Sequence, residues 1–426
     1  MSFLQELDQL PAEKRWPAFR AWMTESPLAL FKEVLTYRPV IDVPELTLVT
    51  RYSDCAQVMR QHDVFSVRLY VPKQGPYWMN QDDTARHWRE KSIMKSILDF
   101  EALASIRGFI ADKTSALLDK ADGHIDVVKE ISRAVPAAMV QEIFGFDEVD
   151  PDDLIEWSYW SQQDTFHNQH FDADVIKDQQ YVTEMREKTR DKLSEYLAGL
   201  VQRRAADLQA GKDLNDPTTR LLRLSLSQGV QLTPELVGLN VGGLLIGTVE
   251  TTSHTAINAL SGLLDPPPGV QATLSQALSN KDDITAFDGH VFEMLRFKPA
   301  FPYFFRVCEK PVTLASGTDY AHSVPVGKTV LAVTHAAMFD EQVYPEPEKF
   351  DYTRSVTNAF TFGQGLHECM GRHIGMQIIP EIVRQVLLLP GIKAEGEVDY
   401  QGTTVPQSYS LSWNKGHAQC AGNDAA

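Results

Sequence analysis

The sequence predicts a mainly α protein with smaller β-sheets, and three observations carry that prediction. Helical periodicity dominates the stretch from Phe100 to Leu263. Short β-branched runs bounded by Gly and Pro lie on either side, in "ELTLVTRY" (Glu45 to Tyr52) and "PVTLASGTDYAHSVPVGKTVLAV" (Pro311 to Val333). No Gly/Ser-rich or Pro-rich linker divides the chain, and "DPPPG" (Asp265 to Gly269) is long enough only for a sharp bend. The expectation is one domain over residues 1–426. Its strand-rich part covers 30–70 and 300–335, its helical bulk 80–300, and a Gly- and Cys-containing loop 360–371.

Composition narrows the function. With 426 residues and 43% hydrophobic content, the chain can bury a large core. A formal net charge of −17 argues against nucleic acid, whose phosphates need a basic surface. The first residues, "MSFLQELDQLPAEKRW", hold no apolar segment of signal-peptide length. The longest apolar run, Val237 to Val249, is too short for a bilayer and contains Asn240. A cytoplasmic monomer without a membrane anchor is expected. Cys55, Cys308, Cys369 and Cys420 are far apart, which excludes a disulfide framework and any Cys-x-x-Cys site.

The elements follow in order. "SDCAQVMRQ" reads as a helix capped by Ser53. Asp174 to Gly211 is a long helix with charges at i,i+4 spacing and a glycine stop. The next long helix opens with Thr233 as N-cap, Pro234 at the first helical position and Glu235 at the positive end of the dipole. It is apolar nearly all round, so it should cross the core. "HIGMQIIPEIVRQVLLL" (His373 to Leu389) reads as another buried helix.

That last helix is preceded by "FTFGQGLHECMGRHIGM" (Phe360 to Met376). Glycines around Cys369 allow positive φ and close approach of a flat object. Free N–H groups and a helix start just past the cysteine favour a thiolate. Zinc would need four ligands, and His367, Cys369 and His373 have no compact fourth. One thiolate under aromatic cover suits haem iron. On the central helix, "LLIGTVETTSH" (Leu244 to His254) places Gly247, Thr248, Thr251 and Thr255 on one face. Glu250 beside Thr251 offers an acid followed by an alcohol, and a carboxylate in a core helix demands a reason. Back-bonding of the threonine to the i−4 carbonyl is the purely structural alternative.

The pattern Phe-Gly-x-Gly-x-His-x-Cys-x-Gly, Phe362 to Gly371, resembles the haem-binding loop of the cytochrome P450 family. The resemblance runs from Glu45 onward. It implies haem b held between the long central helix and the cysteine-loop helix, with Cys369 as the axial metal ligand. It further implies cofactor contacts from His87, Lys91, Arg306, Phe362, His367 and Gly371, Lys91 standing where arginine is usual. Glu293 and Arg296 in "VFEMLRF" match the family's structural Glu-x-x-Arg pair. Glu250 and Thr251 match its proton-delivering acid–alcohol pair, with Thr248 in place of the usual second glycine.

Met338 and Phe339 stand where Asn-Arg is common, and Gly375-Met376 where Ala-Arg is common. The implied substrate pocket takes in Tyr70, Leu244, Gly247, Phe301 and Tyr409, with Trp157 to Phe171 as a lid. The implied activity is monooxygenation of a hydrophobic small molecule (lipid, terpenoid or aromatic). Electrons would come from an external ferredoxin- or flavodoxin-type partner docking on Arg89, Lys91, Lys95, Arg372 and His373. Rival readings are a peroxide-using or isomerising enzyme on the same haem, and a haem-binding sensor without turnover.

Overall fold

The computed structural model describes residues 2–75, 77–225, 232–280 and 283–415. Cys420 and Pro76 of the loop Phe65 to Met79 lie outside the described residues. The central helix, Pro234–Leu264, is the longest apolar element, and its cap is as the sequence predicts. Thr233 Oγ1 accepts from the Leu236 N–H, and Pro234 opens the helix. Most of its side chains are buried on every side. It packs against Pro151–His167, Gln179–Gln209, Thr285–Phe297 and the cysteine-loop helix Arg372–Leu387. Glycines set the close approaches. At Gly243 the Tyr77 hydroxyl occupies the space a Cβ would need, and at Gly262 the Met294 sulfur does.

A five-stranded sheet joins the first and last thirds of the chain. Its order is Val40–Asp42, Leu46–Val49, Thr329–Ala332, Phe304–Cys308, Phe65–Ser66. Leu46–Val49 pairs parallel with Thr329–Ala332, with Leu48 opposite Leu331, and both strands are buried along their length. That burial explains their continuous β-branched runs. A second sheet was not legible in the sequence. His124–Asp126, Ser410–Ser412 and Lys393–Ala394 form it, and strands of two or three residues have no alternation to read. The helix near Ser53 spans Tyr52–Arg60 and starts two residues earlier than a cap at Ser53 implies. Asp340 accepts its first N–H, from Tyr52, so Ser53 lies inside the first turn. Among the described residues, no helix is long and apolar enough to cross a membrane.

Candidate active site

The cysteine loop is built by its own backbone. The Cys369 N–H donates to the Phe362 carbonyl at 2.8 Å, and the Gly363 N–H donates to Phe360 at 2.8 Å. Gly363 and Gly365 take φ of +67° and +76°. The helix then begins at Arg372, with Gly371 at its cap. The structure assigns Gly365 a different clearance from the one expected. A Cβ there would lie 2.5 Å from the Met59 carbonyl oxygen, so Gly365 seats the loop on helix Tyr52–Arg60. Gly371 is the glycine beside the sulfur, its missing Cβ 3.9 Å from Cys369 Sγ. Gly375 makes room for the Phe362 ring, which a Cβ would meet at 2.8 Å. The departure at Gly375 is thus a packing solution for Phe362.

Cys55 and Cys308 are buried, whereas Cys369 has accessible surface. Protein nevertheless surrounds its sulfur, and burial pushes its thiol up, opposed by the Gly371 backbone N–H and by Lys91. A sulfur both enclosed and accessible lines an internal cavity. The same holds on the central helix packed against this region, where Gly247 is exposed and Thr248 and Thr251 half-buried in the middle of a core-crossing element.

Around one end of that cavity lie polar groups with unmet needs. His87 is fully buried. Its Nδ1 meets the Trp78 carbonyl at 3.1 Å, and its Nε2 has no partner. The Trp78 indole N–H is also buried without one. Arg306 is 4% exposed and donates to the Phe305 carbonyl at 2.8 Å, and no carboxylate pairs with it among the described residues. His367 meets Asp82 at 3.2 Å and stacks edge-on against His87 at 5.1 Å. Burial pushes its imidazole down to about 4, against the pull of Asp82. A buried guanidinium needs an anion, and an orphaned imidazole needs a hydrogen-bond partner. The two carboxylates of a haem satisfy both, beside a sulfur suited to its iron, so these residues fit the group.

Lys91 sits differently from the expectation. It is buried, and its ammonium donates to the carbonyls of Leu366 and, at 3.2 Å, Glu368. It therefore ties helix Ala85–Ile97 to the cysteine loop and is no part of an exposed basic patch. Arg89, Lys95 and His373 are exposed, while Arg372 is half-buried and paired with Glu368 at 2.6 Å.

Glu250 is 2% exposed and held by a residue the sequence reading missed. Arg133 donates to it from Nε at 2.9 Å and from Nη2 at 2.8 Å. A π-helical turn, Val128–Arg133, delivers Arg133 there, and Ser132 meets Ser253 of the central helix at 2.7 Å. Arg133 also donates to the Pro406 carbonyl at 3.0 Å. Burial pushes the Glu250 carboxyl up, and the guanidinium opposes that shift. Thr251 donates to the Gly247 carbonyl at 2.5 Å, so its hydroxyl back-bonds in this state. Neighbouring side chains grip the same turn: Ser158 Oγ accepts from the Glu250 N–H at 3.2 Å, and Gln162 donates to the Ile246 carbonyl at 2.7 Å.

Glu293 and Arg296 form a buried bidentate pair at 2.6 and 3.1 Å. Arg354 adds a third member at 3.4 Å from Glu293. Met338 and Phe339 belong to this node: the Met338 carbonyl accepts from Arg296 at 3.1 Å, and the Phe339 ring lies 4.5 Å from the guanidinium.

The expected substrate contacts divide. Tyr70 packs on Phe166 and Phe305, with ring centroids at 5.5 and 4.8 Å. Phe301 meets Phe166, His167, His254 and Phe304. Leu244 and Gly247 lie on the cavity-facing stripe of the central helix. Tyr409 does not join them. It precedes strand Ser410–Ser412, its N–H donates to Asp126 at 3.1 Å, its ring is buried in the main core, and Asp265 at the far end of the central helix lies close enough to influence its hydroxyl. The segment Trp157 to Phe171 is tied to helices Val71–Gln74 and Gln179–Gln209 through Asp164, which takes ion pairs from Lys73 at 3.0 Å and Arg186 at 2.9 Å.

A long core helix presenting an acid and an alcohol opposite a glycine-built cysteine loop defines a mainly helical protein organised around one cysteine site. The family profile described as Cytochrome P450 matches residues 45–388, and the chain belongs to that family. PikC, a cytochrome P450 monooxygenase of Streptomyces venezuelae, is 29% identical over 299 residues. That match covers 69% of this chain and 64% of PikC, just under two thirds of that relative's own length. A steroid C26-monooxygenase of Mycobacterium tuberculosis is 26% identical over 384 residues, 84% of this chain and 85% of the relative. Among solved structures, CYP109E1 from Bacillus megaterium in complex with testosterone superposes with a TM-score of 0.73. It is 20% identical and covers 92% of this chain and 100% of its own, a likeness that shows the fold.

Proposed function

We propose that the protein is a haem-thiolate monooxygenase that inserts one oxygen atom from O2 into a hydrophobic small molecule. The observation that carries this reading is the placement of Glu250 and Thr251 on the cavity-lining turn of the central helix, in a fold whose cysteine loop presents Cys369. Haem bound there supplies oxygen activation, with Cys369 as its thiolate ligand. Arg306, His87 and Trp78 hold its carboxylates, Phe362 and Gly371 flank the sulfur, and Lys91 and His367 fix the surrounding loop. Glu250 exchanges protons with Thr251 when its ion pair with Arg133 opens, since two charge-assisted bonds otherwise occupy both carboxylate oxygens. A dedicated peroxide-using enzyme or a sensor has no use for that acid–alcohol pair.

Electrons come from an external small acidic redox protein. The exposed Arg89, Lys95 and His373 give it a basic footing beside a hollow lined by Trp88, Lys91, Leu366 and Glu368. Leu244, Gly247, Phe301 and Tyr70 give the substrate an apolar wall suited to a lipid, terpenoid or aromatic compound. The reduced carbon monoxide difference spectrum tests the reading. A band at the thiolate position is expected, Cys369→Ala removes it, and a folded, haem-loaded protein without the band refutes the assignment. Thr251→Ala is expected to uncouple electron uptake from product formation.

A further inference from the structure

Two imidazoles that the proton relay does not use lie close together beside the central helix, beyond Thr251. His254 lies seven residues beyond Gly247, so the two share one stripe of the central helix, flanking Thr251. His167 ends the helix Pro151–His167, which packs across it. Their ring centroids are 6.4 Å apart, with no hydrogen bond between them. Phe301 contacts both rings, stacking on His167 at 6.0 Å and meeting His254 at 6.2 Å.

Neither imidazole has a hydrogen-bond partner among the described residues. His254 is 5% exposed, and its Nδ1 is buried and unpartnered. An unmet buried donor or acceptor costs about 1–3 kcal/mol, so the buried Nδ1 of His254, beside the half-buried His167 on an aromatic wall, calls for a partner.

We propose that His167 and His254 form a specificity site for a neutral hydroxyl group on an otherwise apolar substrate. The inference rests on the monooxygenase reading and names its substrate class, hydroxylated hydrophobic molecules such as alcohols and phenols. A neutral imidazole carries one donor and one acceptor, and a hydroxyl carries both as well. One oxygen between the rings accepts from one imidazole N–H and donates to the nitrogen of the other. Two hydrogen bonds of about 2.8 Å reach across such a gap.

Burial favours the uncharged form of both rings, pushing His167 down to about 4 and His254 to about 3. The cations that act on the two rings are already paired, Arg133 with Glu250 and Arg20 with Asp172 and Asp174. A carboxylate substrate would therefore meet no free positive charge here, which sets the site against fatty acids and for alcohols.

Spin-state titration of the holoenzyme tests the proposal. The probes are matched sets on one skeleton: bornane and borneol; p-cymene, thymol and p-isopropylbenzoate; decane, 1-decanol and decanoate. In the unmodified enzyme at least one hydroxylated probe binds about tenfold more tightly than its parent hydrocarbon, a difference of about 1.4 kcal/mol. His254→Phe and His167→Phe bring that ratio to within about twofold while hydrocarbon binding is kept. His254→Gln, which retains hydrogen-bonding capacity, restores part of it.

Three results overturn the proposal: no hydroxylated probe outbinds its parent, the preference survives both phenylalanine variants, or the carboxylates bind best. The carbon monoxide band, recorded on every variant, separates the two levels of inference. With the band present and hydrocarbons still shifting the spin state, only the hydroxyl site falls. With the band absent in the unmodified protein, the haem-thiolate reading falls too.

Discussion

Arg133 grips Glu250 with two charge-assisted hydrogen bonds of 2.9 and 2.8 Å, across 117 residues of sequence and inside the core. Removing one member leaves the other charge buried and alone, which costs about 3–5 kcal/mol. Arg133→Leu is therefore expected to lower the urea midpoint of the holoprotein sharply. The double variant Arg133→Leu/Glu250→Leu recovers most of the loss, because two apolar side chains replace a desolvated pair. Equal destabilisation of the single and double variants would contradict the pairing. Glu250→Gln keeps the shape and removes the titrating group, so turnover is expected to fall by at least about tenfold with substrate affinity nearly unchanged.

The helix Pro151–His167 carries a second buried charge cluster. Burial raises the Asp164 carboxyl, but Asn168, Lys73 and Arg186 together outweigh it and hold the group below its ordinary value. A carboxyl depressed in the folded state stabilises fully above its unfolded pKa of about 3.9 and loses that contribution as the pH falls through its folded value. As the pH falls from about 5 to about 2.5 the native protein should therefore lose more stability than Asp164→Asn, read as the change in urea midpoint of each, with the difference opening below about pH 4. At neutral pH, Lys73→Met should speed ligand association, since Lys73 is the link from helix Val71–Gln74 to Asp164 and to the Asn168 carbonyl at 2.6 Å.

What the sequence disclosed was local in kind. The cysteine loop is readable because its function is carried by closely spaced residues whose backbone the glycines shape. The central helix is readable because its cap and its apolar surface are sequence-adjacent facts. Arg133 and Arg354 were not legible: an arginine in a helix or a loop announces no distant partner. The one available signal was indirect, since a carboxylate at position 250 in an apolar helix implies a cation somewhere. Tyr409 lies just before strand Ser410–Ser412 and packs into the main core, and its neighbours in sequence do not say which way its ring turns. At Lys91 the sequence does not disclose the tether to the cysteine loop, because the carbonyls of Leu366 and Glu368 that it reaches lie 275 and 277 residues away.

Arg306 and His87 should govern how tightly haem is retained. Hydrogen bonds to charged groups contribute about 1.5–3 kcal/mol each, which corresponds to roughly 10–100-fold in affinity. Arg306→Leu is expected to accelerate haem transfer to an excess of apomyoglobin by that factor. His87→Phe should have a smaller effect, its neutral imidazole making a weaker bond. Unchanged transfer in both variants would remove them from the cofactor site, whatever the effect on activity.

Gly365 and Gly375 separate backbone constraint from side-chain accommodation. At Gly365 an added Cβ meets two difficulties. Its φ of +76° lies in the left-handed region, which costs an L-residue about 1–2 kcal/mol, and the atom 2.5 Å away is the Met59 backbone carbonyl. Helix Tyr52–Arg60 would have to shift for the loop to close, so Gly365→Ala should cost more than about 3 kcal/mol and weaken haem binding. At Gly375 the backbone is helical, and the obstruction is the Phe362 ring at 2.8 Å. A ring can turn, so Gly375→Ala should cost about 1–3 kcal/mol, as overpacking does, while shifting the haem absorption band because the Phe362 carbonyl accepts from the Cys369 N–H. Gly402→Ala is the control: φ is +72° with nothing within 4 Å, so it reports strain alone. If Gly365→Ala proves no worse than Gly402→Ala in thermal unfolding, the seat of the cysteine loop on Met59 is looser than these distances require.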